Sequence, residues 1–239
     1  MIILERTRTG IPGLDELLNG GIPKGSNVLI SGGAGTGKTI LATQYLYNGA
    51  IQYGEPGVFV TLEGNVRDIA WNMESFQWDI KSLQDKGLFT IYRLGMDFAK
   101  DKEMIEERLD EQLKEIAKEV EEINAKRLVV DSTTVFGSYL EPSLLRTTLF
   151  SFCDKLKSLG CTTLLTAETQ TSKTSFSAFG VEEFVVDGVI ALYFSPPNRS
   201  VFVRKMRGTT HDKSPHPLEI TPKGIMINPR DNIIWDAIK

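Results

Sequence analysis

The most specific chemistry in the chain lies in one run, Gly32-Gly33-Ala34-Gly35-Thr36-Gly37-Lys38-Thr39. It fits G-x-x-x-x-G-K-[ST], the phosphate-binding P-loop. The glycines let the backbone fold around phosphate oxygens, so N–H groups from Gly33, Ala34, Gly35, Thr36, Gly37, Lys38, Thr39 and Ile40 are candidate nucleotide contacts. Lys38 would set a cation on the β- and γ-phosphates, and the Thr39 hydroxyl would ligate Mg²⁺. ATP or ADP with Mg²⁺ is the expected cofactor set.

Hydrolysis of such a nucleotide also needs a metal-holding carboxylate, an oriented water and positive charge on the transition state. Leu128-Val129-Val130 is a short apolar run ending in Asp131, where a carboxylate can hold Mg²⁺ through water. Glu63 leaves the end of Val58-Phe59-Val60-Thr61-Leu62. A carboxylate at that edge of a core strand can take a proton from an attacking water, and a surface glutamate would sit there equally well. Lys205 and Arg207 share a strand face two residues apart. Two readings stay open for them at this point: an anion lies between them, or they are solvated guards of a sheet edge.

The elements that must position these groups follow from periodicity. Asn27–Ser31 reads as a buried strand and Ile40–Tyr47 as a helix, the context a P-loop requires. Leu14, Leu17 and Leu18 mark a short helix stopped by Asn19-Gly20-Gly21. Val66, Ile69, Met73 and Phe76 form the core face of a helix with Asn65 as N-cap. Leu88–Tyr92 reads as a strand, and Asp101 to Lys126 as a long amphipathic helix with a solvated acidic face. Pro142 opens a helix that Gly160 ends, and Thr162–Thr166 is the next strand. Strand–helix alternation implies right-handed crossovers and a parallel sheet. From Val185 the pattern changes to two hairpins: Val189–Phe194 with Ser200–Arg207, then Leu218–Thr221 with Ile225–Ile227. The expected fold is α/β, a mainly parallel sheet flanked by helices with an antiparallel extension, in one domain over residues 1–239.

The totals set limits on function. Apolar content of 41% and charged content of 24% are those of an ordinary soluble protein. A net charge of −4 argues against a dominant nucleic-acid footprint. Cys153 and Cys161 read as reduced, packed thiols. With no run near the ~20 apolar residues of a membrane span and no leader-like start, a cytoplasmic protein with no membrane partner is expected.

Taken together these residues resemble the RecA superfamily, most closely the KaiC-like ATPases. The likeness rests on Thr9–Asp15, Gly21–Gly25, the P-loop, Phe59–Glu63, Val130–Ser132, Gly180–Val185, Lys205–Thr209 and Ile220–Ile225. It implies a RecA-like core in a homo-oligomer, a hexameric ring with ATP between subunits. Lys205 and Arg207 would act in trans on the neighbour's γ-phosphate. Ser75, Met206, Thr209, His211 and Thr221 would line the nucleotide, the last three from the adjacent subunit. Where KaiC-like ATPases carry two successive glutamates, this chain has Glu63-Gly64, so slow hydrolysis is expected. Tandem-domain relatives phosphorylate a Ser-Thr pair of their own; Glu183 and Phe184 stand at those positions and carry no hydroxyl.

Three functional readings follow. One is an ATP-driven ring that changes shape and signals to a protein partner. A second is a recombinase-like ATPase contacting DNA through Gln170–Gly180, with Lys173, Phe176 and Phe179. The third is a non-hydrolysing, nucleotide-gated assembly module, which Gly64 motivates.

Overall fold

A computed structural model of the chain describes residues 4–95, 102–169 and 177–234. Arg6–Thr7 (β1) and Ile22–Pro23 (β2) pair antiparallel, with the short helix α1 (Leu14–Leu17) between them. The P-loop strand β3 (Asn27–Gly32) is buried throughout and runs into α2 (Lys38–Tyr53). Next come β4 (Gly57–Thr61), α3 (Val66–Glu74), α4 (Ile80–Asp85), β5 (Phe89–Arg93) and α5 (Lys102–Glu122). Then follow β6 (Arg127–Asp131), α6 (Phe136–Tyr139), α7 (Pro142–Ser158), β7 (Thr162–Glu168) and α8 (Glu182–Val185). The strands β8 (Gly188–Ser195), β9 (Asn198–Met206), β10 (His216–Thr221) and β11 (Gly224–Ile227) complete the order.

One nine-stranded sheet results, in the order β11-β10-β9-β8-β3-β7-β6-β4-β5. From β8 to β5 every neighbouring pair is parallel, and from β8 to β11 every pair is antiparallel. Successive side chains of a strand point to opposite faces, and here both faces are packed. Val28, Ile30, Phe59 and Val129 join the core under α2; Leu29, Val58, Val60, Leu128 and Val130 join the core under α5 and α7. That two-sided burial is why these strands read as unbroken apolar runs.

Three of the departures from the sequence expectation have a clear physical reason. Strand β8 was expected in an antiparallel extension, yet it also runs parallel to β3, in register Val28↔Gly188 through Gly32↔Leu192. The chain between β7 and β8 is long enough to return to the starting edge, so β8 enters in the direction of β3. Helix α4 was not anticipated; its Asp79 side chain accepts the Ser82 N–H at 2.9 Å and starts the turn. The first hairpin turns at Pro196-Pro197, tighter than the Ser195–Arg199 loop expected.

Arg127 pins the end of β6 remote from Asp131. Its side chain is 0% exposed, bonds Glu55 at 2.6–2.7 Å, and donates to Tyr45 O at 2.8 Å and Arg8 O at 2.7 Å. Its guanidinium lies 4.6 Å from the Tyr45 ring centroid. Gly49 on α2 makes room for it: a Cβ there would stand 2.4 Å from Arg127 Nε. Helix α2 and strand β6 are thereby fixed to each other at one end, and they meet again at the other, where Thr39 faces Asp131.

Candidate functional site

The carboxyl ends of β3, β4, β6 and β7 open into a cavity of about 640 Å³. The P-loop forms its floor: Ala34, Gly35, Gly37, Lys38, Thr39 and Ile40 all line it. Gly35 (φ 73°) and Gly37 (φ 103°) take left-handed backbone that side chains disfavour. Thr36 is buried, and its hydroxyl closes the loop by donating to Gly33 O at 2.9 Å. A side chain at Gly32 would come within 2.5 Å of Leu192 O, so the loop's first glycine is a packing requirement of β8.

Lys38 Nζ donates to Gly32 O at 2.9 Å and Gly33 O at 3.0 Å, and lies 4.0 Å from Glu168. Burial pushes its ammonium below the usual lysine range, while the Glu168 and Asp131 carboxylates act the other way. Thr39 Oγ1 donates to Asp131 Oδ2 at 2.9 Å, and the Thr166 hydroxyl donates to the other carboxylate oxygen. Glu63 accepts from Ser132 Oγ at 3.2 Å. The turn after β4 is closed by Gly64 N–H on Thr61 Oγ1 at 2.8 Å, and a Cβ on Gly64 would press to 2.9 Å of that hydroxyl. The Asn65 side chain caps α3 by accepting Arg67 N–H at 3.0 Å, and α3 lends Asp68 and Asn72 to the cavity wall.

The two oxygens of Thr39 and Asp131 fit Mg²⁺. That ion takes hard oxygen donors, and in nucleotide sites the protein gives only one or two of them, with phosphates and waters supplying the rest. Among the described residues no cluster of three or more His, Cys, Asp or Glu could hold a metal without such help.

Other residues singled out in the sequence lie elsewhere. Ser75 follows α3 and donates to Asn72 O at 2.7 Å; it is absent from the cavity wall. Lys205 Nζ donates to Glu183 O at 2.9 Å and Val186 O at 2.7 Å. Arg207 Nη1 stands 3.7 Å from Asp187 Oδ1. Met206 is buried against Gly188. Thr209 accepts from the Arg6 guanidinium, and His211 Nδ1 lies 2.7 Å from Asp212 O. None of these five lines the cavity of its own chain. Thr221 differs from them: it donates to Gly224 O at 2.8 Å and follows Ile220, which does line that cavity. In the loop weighed for DNA, residues 170–176 lie outside the described residues. The Phe179 ring is packed over Gly137, where a Cβ would meet it at 2.0 Å.

Several cavity residues were not anticipated, Asp68, Asn72, Glu168 and Arg199 among them. Asp68 and Asn72 come with α3. Glu168 ends an apolar strand in a carboxylate, the same signal that marked Glu63 and Asp131, so it was open to discovery. Arg199 had no such signal; it reaches back from β9, donates to Gly35 O at 3.1 Å, and its guanidinium lies 4.1 Å from the Phe194 centroid.

A glycine loop at the carboxyl edge of a central parallel strand, a Lys-Thr pair, and an aspartate one strand beyond its neighbour define a RecA-fold nucleotide-binding protein. A solved KaiC-like protein of Pyrococcus horikoshii matches with a TM-score of 0.83 and 40% identity, covering 95% of this chain and 100% of that one. The family described as "ATPase: KaiC" matches residues 7–232. The chain belongs to that KaiC-type ATPase family. A UPF0273 protein of Methanocaldococcus jannaschii is 40% identical over 95% of this chain and 97% of its own length. The circadian clock oscillator protein KaiC of Synechococcus elongatus is 38% identical over 95% of this chain and 44% of its own length. This chain therefore corresponds to less than half of that relative.

Proposed function

We propose that residues 1–239 form one ATPase domain that binds ATP with Mg²⁺ and hydrolyses it at the boundary between copies in a ring, taken to be hexameric. The observation that carries this reading is the pairing of Thr39 with Asp131 at 2.9 Å beside Lys38, in one cavity with Glu63. The P-loop N–H groups from Gly33 to Ile40 hold the phosphates, and Lys38 exchanges two backbone carbonyls for phosphate oxygens. Thr39 and Asp131 hold the metal, which supplies charge neutralisation on the phosphates when bound. Glu63 is the group that orients the attacking water and takes its proton, with Ser132 holding its far oxygen. Lys205 and Arg207 lie outside their own cavity, which supports their use on a neighbour's γ-phosphate. Met206, Thr209 and His211 share that segment and accompany them.

The same reading makes the protein a nucleotide-driven switch in the cytoplasm that signals to a protein partner. The test is turnover. Glu63→Gln should lower the rate of Mg²⁺-dependent ATP hydrolysis by roughly 10²- to 10⁴-fold while ATP binding persists. A wild-type chain that binds ATP and never hydrolyses it, alone or concentrated, would refute the enzymatic reading and leave a gated assembly module.

A further inference from the structure

The two cations proposed to act in trans are not loose surface charges. Arg207 meets Asp187, a carboxylate whose side chain is 12% exposed, and Lys205 is held by carbonyls of the segment that leads into it. Its Oδ1 accepts from Lys157 Nζ at 2.9 Å and lies 3.7 Å from Arg207 Nη1. Its backbone oxygen accepts from Arg207 N–H at 2.9 Å. Lys205 is bonded to the carbonyls of Glu183 and Val186, the latter the residue immediately before Asp187. Burial and the neighbouring Arg207 push the Lys205 ammonium below its usual range, and the Asp187 and Glu183 carboxylates oppose that shift. A register irregularity in the β8–β9 pairing shifts Lys205 to face Val189 while Val203 faces Ile190, leaving Arg204 as the extra residue. Bulges of this kind turn the end of a strand and re-aim its side chains.

The other side of Asp187 faces the P-loop strand. Asp187 Oδ2 accepts the Asn27 N–H at 3.0 Å, and Asp187 N–H donates to Asn27 O at 2.8 Å. Asn27 is the first residue of β3, and Gly32 at its last position opens the P-loop. One residue is thus bonded at both its backbone and its side chain to the strand that carries this subunit's own phosphate site. The same residue lies 3.7 Å from Arg207 Nη1, outside that site.

We propose that Asp187 is a positioning residue that ties each subunit's own P-loop strand to the Lys205/Arg207 pair that the subunit offers to its neighbour. This rests on the reading of Lys205 and Arg207 as acting in trans. The carboxylate draws the Arg207 guanidinium to one side of the β9 terminus and, through its bond to Asn27 N–H, steadies the segment whose Glu183 and Val186 carbonyls hold the Lys205 ammonium. Without its charge, Lys157, Lys205 and Arg207 repel one another with only the Glu183 carboxylate left to oppose it. The pair would then meet a neighbour's phosphate in many geometries rather than one. Its register to β3 makes the strand bearing one phosphate site the rigid support for the cations of the next.

The experiment is complementation between subunits. Asp187→Asn keeps an oxygen for the Asn27 N–H and removes the charge seen by Arg207 and Lys157. On its own it should bind ATP at its intact P-loop with unchanged affinity and lose roughly 10- to 100-fold in kcat, the cost of mispositioning a catalytic group. Lys38→Ala subunits, which lack the P-loop cation and keep Lys205 and Arg207, should be inactive alone. Mixed with Asp187→Asn subunits they should restore turnover, because the Lys38→Ala copies present well-placed cations to the Asp187→Asn copies' bound ATP. A role of Asp187 confined to the fold of its own subunit would not be rescued this way. Lys205→Met mixed with Lys38→Ala tests the trans reading itself. Rescue of Lys205→Met without rescue of Asp187→Asn would overturn the inference while sparing that reading. Failure of both mixtures would overturn the trans reading and the inference with it. Full activity of Asp187→Asn alone would overturn the inference outright. Should Asp187→Asn fail to fold, seen as loss of ATP binding to its own P-loop, Asp187→Ser keeps an acceptor for Asn27 N–H and replaces it in the same mixtures.

Discussion

Replacing Arg127 by methionine should destabilise the protein by about 3–5 kcal/mol, the cost of breaking a buried ion pair from one side. The structure shows where that cost arises. Methionine keeps much of the apolar stem of a side chain that is 0% exposed, so packing loss is small. What is lost is the charged donor to two backbone carbonyls, Tyr45 O at 2.8 Å and Arg8 O at 2.7 Å. A hydrogen bond to a charged group contributes about 1.5–3 kcal/mol net. Two of them give about 3–6 kcal/mol. Glu55 limits the total, because its side chain is 36% exposed and its carboxylate can return to water. Equilibrium urea unfolding of wild type and Arg127→Met, fitted with a common m-value, measures the difference. Since Arg127 clamps α2 to β6, the two elements that bring Thr39 to 2.9 Å from Asp131, ATP affinity should fall as well. A loss below about 1 kcal/mol would show that the network is solvated or redundant, and the reasoning would fail.

Two further outcomes follow from the same geometry. Asn65→Ala removes the cap that accepts Arg67 N–H at 3.0 Å, and should cost about 1 kcal/mol and raise KM for ATP, since α3 walls the cavity through Asp68 and Asn72; chemical denaturation and steady-state kinetics read both effects. Burial pushes the Cys153 thiol up to about 12 and the Cys161 thiol up to about 11. The thiolate is the reactive form and its fraction rises only as pH approaches those values, so neither cysteine should alkylate with iodoacetamide at pH 8 in the folded protein, and both should react in urea; mass spectrometry counts the adducts.

Much of this fold was legible in the sequence for physical reasons visible in particular residues. The run Asn27–Ser31 could be read as a strand because its centre, Val28-Leu29-Ile30, is buried on both faces and apolar throughout. Pro142 and Gly160 bracketed α7 because proline suits a first turn and glycine accepts the left-handed exit, here φ 72°. The direction of β8 was hidden, since a hairpin signal describes one neighbour and says nothing of the partner on the other side. Helix α4 was hidden because six residues with Ile80 and Leu83 buried give too little period to read. For the site, the P-loop, Asp131 and Glu63 were legible as groups at strand ends, and they do line one cavity. The spacing of Lys205 and Arg207 said that they share a face. That Asp187 stands beside Arg207 comes from the β8–β9 pairing, while its bonds to Asn27 come from the β3–β8 register, which no local pattern carries. Arg199 reaches Gly35 from 164 positions away and was invisible for the same reason.

The claim that the P-loop works at a boundary between copies is tested most directly by mass. Multi-angle light scattering of the purified chain with ATP and Mg²⁺, with ADP, and without nucleotide reads assembly and nucleotide dependence together. The account predicts a closed ring, six copies by the family resemblance, in the ATP state. A chain that hydrolyses ATP while remaining a monomer in all three states would contradict it, because Lys205 and Arg207 would then have no neighbour's phosphate to meet.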